Sequence, residues 1–140
     1  VQAQILNLLL ELGRELGLTY VFVSHNLAVV EHLVDRVAVM YLGRFVGERT
    51  RAGLFAGPEH PYSRALLESV LTPDPDLGVP DTHLGAVFPN PLTPAPGCPF
   101  VPRCPHAAAV CRTRPPDMVR LPDGWATCHL APWSSAQTAA

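Results

Sequence analysis

Apolar positions open the chain at helical spacing: Val1, Ile5, Leu8, Leu9, Leu12 and Leu16 recur every three to four residues, with Gly17 placed as a stop. The pattern then changes. Thr19 to Ser24 is a continuous β-branched and aromatic run, which predicts a short strand buried on both faces of a parallel sheet. At its end stands Ser24-His25-Asn26, and Asn26 is a capping residue for a second helix reaching about Val34, with Leu27, Val30, Leu33 and Val34 on its apolar face. Two further strands, Arg36 to Tyr41 and Arg44 to Glu48, are separated only by Leu42-Gly43, which predicts a hairpin. A short helix around Leu54 to Ala56 and another from about Pro61 to Leu71 follow; a proline in the first turn costs a helix no hydrogen bond.

Proline then divides the chain. Of its 16 prolines, 14 fall between Pro73 and Pro132, so the boundary lies near Thr72. Regular structure is not expected beyond it, because each proline removes a backbone donor and restricts the residue before it. A segment of this kind needs an external staple. No internal repeat or low-complexity tract is present, and Ser134 to Ala140 reads as a frayed tail.

A length of 140 residues allows one ordinary domain, or part of one with an appendage. With 48% hydrophobic and 16% charged residues the chain has enough apolar material to fold. Net charge is −2 and the ten arginines are scattered, so no basic stripe marks a nucleic-acid partner. Lysine is absent, which excludes a P-loop within these residues, because that loop uses a lysine on the β and γ phosphates. The first residue is Val1 and the only methionines are Met40 and Met118, so a fragment of a longer protein is expected. The longest apolar run, Val37 to Leu42, falls far short of the roughly 20 residues of a membrane span, and no charged-then-apolar leader opens the chain.

The four cysteines Cys98, Cys104, Cys111 and Cys128 all lie in the proline-rich part, spaced C-x5-C-x6-C-x16-C. Without an export signal they point to a reducing compartment and to metal ligation. Four thiolates satisfy a tetrahedral zinc or an iron–sulfur cluster, although the spacing lacks the C-x2-C pairs of zinc ribbons and matches neither ferredoxin pattern. Two disulfides or four free buried thiols are the alternatives. His129 beside Cys128 and His106 near Cys104 read as solvated or supporting groups. His25, at the C-terminal end of the first expected strand, occupies the position where open α/β sheets place ligands. His32 is expected on a solvated helix face, and His60-Pro61-Tyr62 reads as a capping and packing motif. No hydrolytic triad can be assembled from spacing.

Three stretches carry a family resemblance. Thr19-Tyr-Val-Phe-Val-Ser-His25-Asn-Leu-Ala-Val-Val resembles the last core strand and H-loop of ABC-transporter ATPases, and Asp35-Arg-Val-Ala-Val-Met-Tyr-Leu-Gly-Arg44 looks like the hairpin after it. Gly53-Leu-Phe-Ala-Gly-Pro-Glu-His-Pro-Tyr-Ser-Arg-Ala-Leu-Leu67 is similar to the His-Pro-Tyr segment of the oligopeptide, dipeptide and nickel import subfamily. Gly97-Cys-Pro-Phe-Val-Pro-Arg-Cys-Pro105, Cys111 and Ala126-Thr-Cys-His129 resemble that subfamily's C-terminal extension. Val1-Gln-Ala-Gln-Ile-Leu-Asn-Leu-Leu looks like the helix after the D-loop, so the Walker A, Q-loop, signature and Walker B positions of the family have no counterpart here.

The resemblance implies an α/β fold: the C-terminal fragment of an ABC-ATPase nucleotide-binding domain over residues 1–72, then a proline-rich, mostly irregular four-cysteine extension over 73–133 and a tail over 134–140. It implies that His25 senses the γ-phosphate of ATP, with Mg, in an intact subunit that pairs with a second ATP-binding subunit as a homo- or heterodimer. Transmembrane permease subunits would hold that subunit at the cytoplasmic face of the membrane, with an extracytoplasmic peptide-binding protein as an indirect partner. The 140 residues alone are expected to be inactive as an ATPase. It further implies a [4Fe-4S] cluster on Cys98, Cys104, Cys111 and Cys128, with zinc as the alternative. The contrasting expectation is a stand-alone, metal-stapled interaction module. Substrate choice among dipeptide, longer peptide and nickel resides in other subunits.

Overall fold

The computed structural model describes residues 2–69, 84, 85, 87, 89, 90, 93 and 96–133. The chain divides into two units, residues 1–35 and 36–140.

The first unit holds α1 (Gln2–Leu16) and α2 (Leu27–Leu33). Helix α1 stops as the sequence predicts: Gly17 takes a positive φ of 63° and the Leu18 N–H bonds back to the Gly13 carbonyl at 3.1 Å. Helix α2 begins at the predicted cap, with Asn26 Oδ1 accepting from the N–H groups of Ala28 and Val29 at 3.1 and 3.3 Å. The buried strand expected over Thr19 to Ser24 is not formed. That segment has no strand structure, and its side chains are open, with Val21 95% and Val23 94% exposed. A central strand exists only through its neighbours' ladders, and these residues do not provide those neighbours.

The second unit is built on one antiparallel sheet. Its strands are β1 (Arg36–Tyr41), β2 (Arg44–Thr50), β3 (Met118–Leu121) and β4 (Gly124–Thr127), in the order β1-β2-β4-β3. The predicted hairpin joins β1 to β2, with Tyr41 opposite Arg44 and Leu42 and Gly43 both at positive φ, 47° and 76°. Two successive positive φ values make the turn whose twist suits a two-residue hairpin loop, and glycine supplies one of them without strain. A bulge at Val39/Met40 lets Val46 turn inward with Val37, Val39 and Tyr41. The opposite face leaves Met40, Phe45 and Met118 exposed.

Regular structure in the proline-rich part departs from expectation. Strands β3 and β4 form a second hairpin, which adds to β2 through Gly47↔Ala126, Glu48↔Trp125 and Arg49↔Gly124. A short 3₁₀ turn, Val101–Arg103, and α5 (Ala109–Thr113) are also regular. The prolines flank the ladder rather than enter it: Pro115 and Pro116 precede β3, and Pro122 sits in its turn. The proline-rich part thus supplies the other half of the sheet that the first hairpin begins. The expected tail, 134–140, lies outside the described residues.

Two helices pack near the hairpins. Helix α3 (Arg51–Ala56) is capped by Thr50, whose Oγ1 accepts from the Gly53 N–H at 3.1 Å. Helix α4 (Pro61–Glu68) is capped by His60 and places Ser63 and Ala65 in the interior. Its start is tied to the far end of the described chain: Trp133 donates its backbone N–H to Glu59 Oε2 at 2.6 Å and its indole N–H to the Glu59 carbonyl at 2.9 Å, while Arg64 lies over its ring. Among the described residues no helix is long and apolar enough to cross a membrane.

Candidate functional site

The second unit gathers most of the chemistry read from the sequence around one side chain. Phe100, between Cys98 and Cys104, is 1% exposed. Its ring meets Tyr41 edge-on at 5.1 Å, Tyr62 at 5.6 Å and His60 at 5.4 Å, and Tyr41 and Tyr62 touch at 4.8 Å. Tilted and edge-on pairs at these separations are the favoured aromatic geometry. The hairpin strand β1 and the His60-Pro61-Tyr62 start of α4 therefore form a seat for the cysteine loop. The sequence reading gave Phe100 no role; as the one aromatic side chain inside a cysteine-bearing loop, it was the available signal.

His60 is a structural group here. Its Nδ1 accepts from the Tyr62 N–H at 3.1 Å, and burial lowers its pKa from the ordinary 6.5 to about 4, so the ring is neutral. This agrees with the capping and packing role expected for it.

All four cysteines are free thiols; Cys98 and Cys104 are half-buried, and Cys111 and Cys128 are buried. Local turns aim them. The Val101 N–H bonds to the Cys98 carbonyl at 3.1 Å and the Cys104 N–H to the Val101 carbonyl at 3.3 Å, so the 3₁₀ turn sets those two. Cys111 is carried by α5, and Cys128 follows β4 directly. The Cys98 N–H donates to the Cys111 carbonyl at 2.8 Å.

Burial pushes the thiol of Cys98 up, that of Cys104 up, and that of Cys128 up to about 11. Opposing this, backbone N–H groups point at the sulfurs: Phe100 and Val101 at Cys98, His106 at Cys104, and Leu130 at Cys128. The last is 3.5 Å long. The thiols also feel one another, since Cys98, Cys104 and Cys111 each disfavour a negative charge on Cys128. Cys98, Cys104 and Cys128 therefore stay protonated near neutrality unless a positive charge arrives to hold their thiolates.

Among the described residues, no group of three or more His, Cys, Asp or Glu side chains could hold a metal ion. The geometry supports neither the zinc nor the iron–sulfur expectation. The two neighbouring histidines are otherwise engaged: His129 Nε2 donates to the Arg114 carbonyl at 2.9 Å, and the His106 ring meets Trp133 edge-on at 4.9 Å. His25 lies in the first unit, exposed, in the turn that leads into α2. Ser24 Oγ accepts the Asn26 N–H there, at 3.0 Å.

Residues 46–111, which run from β2 through the His60-Pro61-Tyr62 helix to the third cysteine, match the family described as oligopeptide/dipeptide transporter, C-terminal region. That stretch is similar to the C-terminal region of oligopeptide/dipeptide transporters. The transporter proteins it resembles are ATP-binding ones. The chain is 50% identical over 138 residues to a Sinorhizobium fredii protein named "Probable peptide ABC transporter ATP-binding protein y4tS", covering 97% of this chain and 39% of that one. It is 45% identical over 124 residues to the dipeptide transport ATP-binding protein DppF of Haemophilus influenzae, covering 89% and 38%. The chain thus spans about two fifths of the length of these relatives.

Proposed function

We propose that this chain is part of the ATP-binding subunit of a peptide-importing ABC transporter, and that the intact subunit couples ATP hydrolysis to movement of its membrane partners. The observation that carries this is the 50% identity to a peptide ABC transporter ATP-binding protein along 97% of the chain. In this reading residues 1–72 belong to the nucleotide-binding domain and residues 73–133 are the subfamily extension.

His25 is the one position of the chain assigned to the nucleotide site. An imidazole there can contact a γ-phosphate oxygen and hold the attacking water, and such positioning is most of what phosphoryl transfer asks of a protein. Its exposure leaves the ring open to a ligand. ATP and Mg would be held mainly by upstream residues and by a second ATP-binding subunit, with permease subunits anchoring the pair at the cytoplasmic face. The substrate class within peptides and nickel is set by those partners. A native polypeptide much larger than 15.1 kDa, detected in its own cells with an antibody to residues 98–128, is the expected result. A 15.1 kDa product with no ATP-binding subunit associated would favour the stand-alone module instead.

The four cysteines are proposed as ligands of a [4Fe-4S] cluster. Support comes from the resemblance and from the donor chemistry: four sulfurs in one unit, three of them faced by backbone N–H groups that stabilise thiolate charge. The cluster would order the extension. Iron and acid-labile sulfide in anaerobically purified intact protein are the expected finding, and colourless protein with stoichiometric zinc would overturn it.

A further inference from the structure

Beyond β4 the chain folds back on the cysteine that ends it. The Ala131 N–H bonds to the Cys128 carbonyl at 3.2 Å, and the Leu130 N–H points at the Cys128 sulfur at 3.5 Å. Cys128 is 8% exposed, whereas Leu130 and Ala131 are half-buried and Pro132 is exposed. Residues 130–132 thus run from a contact with the Cys128 sulfur to the surface, and none of their side chains enters the interior.

The hold on this segment comes at Trp133. Its backbone N–H donates to Glu59 Oε2 at 2.6 Å and its indole N–H to the Glu59 carbonyl at 2.9 Å. The Arg64 guanidinium carbon stands 5.0 Å from its ring centroid, and the His106 ring meets it edge-on at 4.9 Å. Glu59 and Arg64 belong to the start of α4, whereas His106 lies two residues past Cys104 and directs its backbone N–H at that sulfur. One side chain therefore fastens the segments that follow Cys104 and Cys128 to a single helix start. A segment with few buried contacts, attached through one terminal side chain, opens by a local motion that leaves the sheet intact.

We infer that residues 130–133 are a strap latched by Trp133, and that release of the latch uncovers the Cys128 sulfur while the four-stranded sheet and Cys111 stay folded. The strap sets the rate at which a thiol-seeking electrophile reaches that sulfur. Cys111 supplies the internal comparison: it is buried like Cys128, but it is carried by α5 and has no contact with the strap among the hydrogen bonds and ring contacts described above. The inference rests on the hydrogen bonds and ring contacts of Trp133, and depends neither on a metal nor on the proposed transport role.

To test it, intact protein is stripped with chelator and reductant, desalted, and labelled under native conditions with N-ethylmaleimide for a series of times at one pH. Tryptic peptides are then read by mass spectrometry: the peptide that begins at Leu121 carries Cys128, and the 104–112 peptide carries Cys111, which fragmentation separates from Cys104. Hydrogen exchange of residues 130–132 and of β4 is measured alongside, as a readout independent of thiol chemistry. Trp133→Ala removes the indole hydrogen bond and the cation–π contact, and should speed labelling of Cys128 by more than about tenfold. Labelling of Cys111 should not change, and exchange should quicken at 130–132 and not in β4. Trp133→Phe keeps a ring beside Arg64 and His106 and loses the indole donor, so a rise of about fivefold is expected; it decides the matter if the alanine variant does not fold. Cys111 labelled faster by the same factor as Cys128, with exchange quickened in β4, would mean that Trp133 only stabilises the whole fold and would overturn the inference. Cys128 labelling unchanged in both variants would overturn it as well.

Discussion

Arg49, in strand β2, grips Asp123, in the turn between β3 and β4. Its Nε and Nη2 both donate to Asp123 Oδ1, at 2.9 and 2.7 Å, while Thr50 Oγ1 donates to Oδ2 at 2.8 Å and the Thr50 N–H reaches the Asp123 carbonyl at 3.3 Å. Thr50 also caps α3, so one carboxylate ties the second hairpin to the first and to the helix between them. Asp123→Ala should destabilise the protein by about 1–3 kcal/mol, the range for breaking a charge-assisted network that leaves a part-buried cation behind. Urea denaturation measures it. An unchanged midpoint would mean that the second hairpin is held by its ladder alone.

Acid should act on His60 first. Its folded pKa of about 4 lies below its ordinary 6.5, so between those values the unfolded chain binds the extra proton and stability falls as pH falls. The expected loss between pH 7 and pH 5 is about 2 kcal/mol. Asp123, whose carboxyl is held low chiefly by Arg49, adds its loss only below the ordinary carboxylate range. His60→Asn keeps a capping acceptor and should flatten the profile between pH 7 and 5. A profile as steep as that of the parent would assign the dependence elsewhere.

Phe100→Ala should cost about 3–5 kcal/mol, as full removal of a buried aromatic side chain does. The loop beneath it would loosen as well, so alkylation of Cys98 and Cys104 by iodoacetamide should quicken more than that of Cys128. Thermal unfolding and peptide-resolved labelling read both. A loss under about 1 kcal/mol would show that the Tyr41, His60 and Tyr62 seat holds without it.

Val21 and Val23 are almost fully exposed, 95% and 94%. Replacing both with lysine should raise the concentration at which the 140-residue chain stays monodisperse, with little change in its melting temperature. In the intact protein the same pair should lower stability, because the proposed subunit covers this segment with upstream strands. Light scattering and melting curves on the two forms separate these effects. Stability unchanged in the intact protein would place the segment on its surface.

What the sequence disclosed follows from how local each signal is. Helix α1 with Gly17, the Asn26 cap, the Leu42-Gly43 hairpin and the proline at the start of α4 are all written within a few neighbouring residues, and all appear. The strand at Thr19 to Ser24 does not, because propensity cannot supply ladder partners that lie elsewhere in the chain. Strands β3 and β4 were obscured by proline density, yet their signal was present: Leu121-Pro122-Asp123-Gly124 is a proline-aspartate-glycine turn between two short apolar runs. The same locality limits the site. Cysteine spacing announced a thiol group, but the 2.8 Å bond between Cys98 and Cys111 and the aromatic seat under Phe100 are tertiary facts.

The most direct test of the account is ATP turnover by the intact protein and by its His25→Ala variant, with nucleotide binding measured alongside. The account predicts turnover in the parent, loss of it in the variant, and binding largely retained in both. Equal turnover in the two, or a parent that neither binds nor hydrolyses ATP, would contradict it.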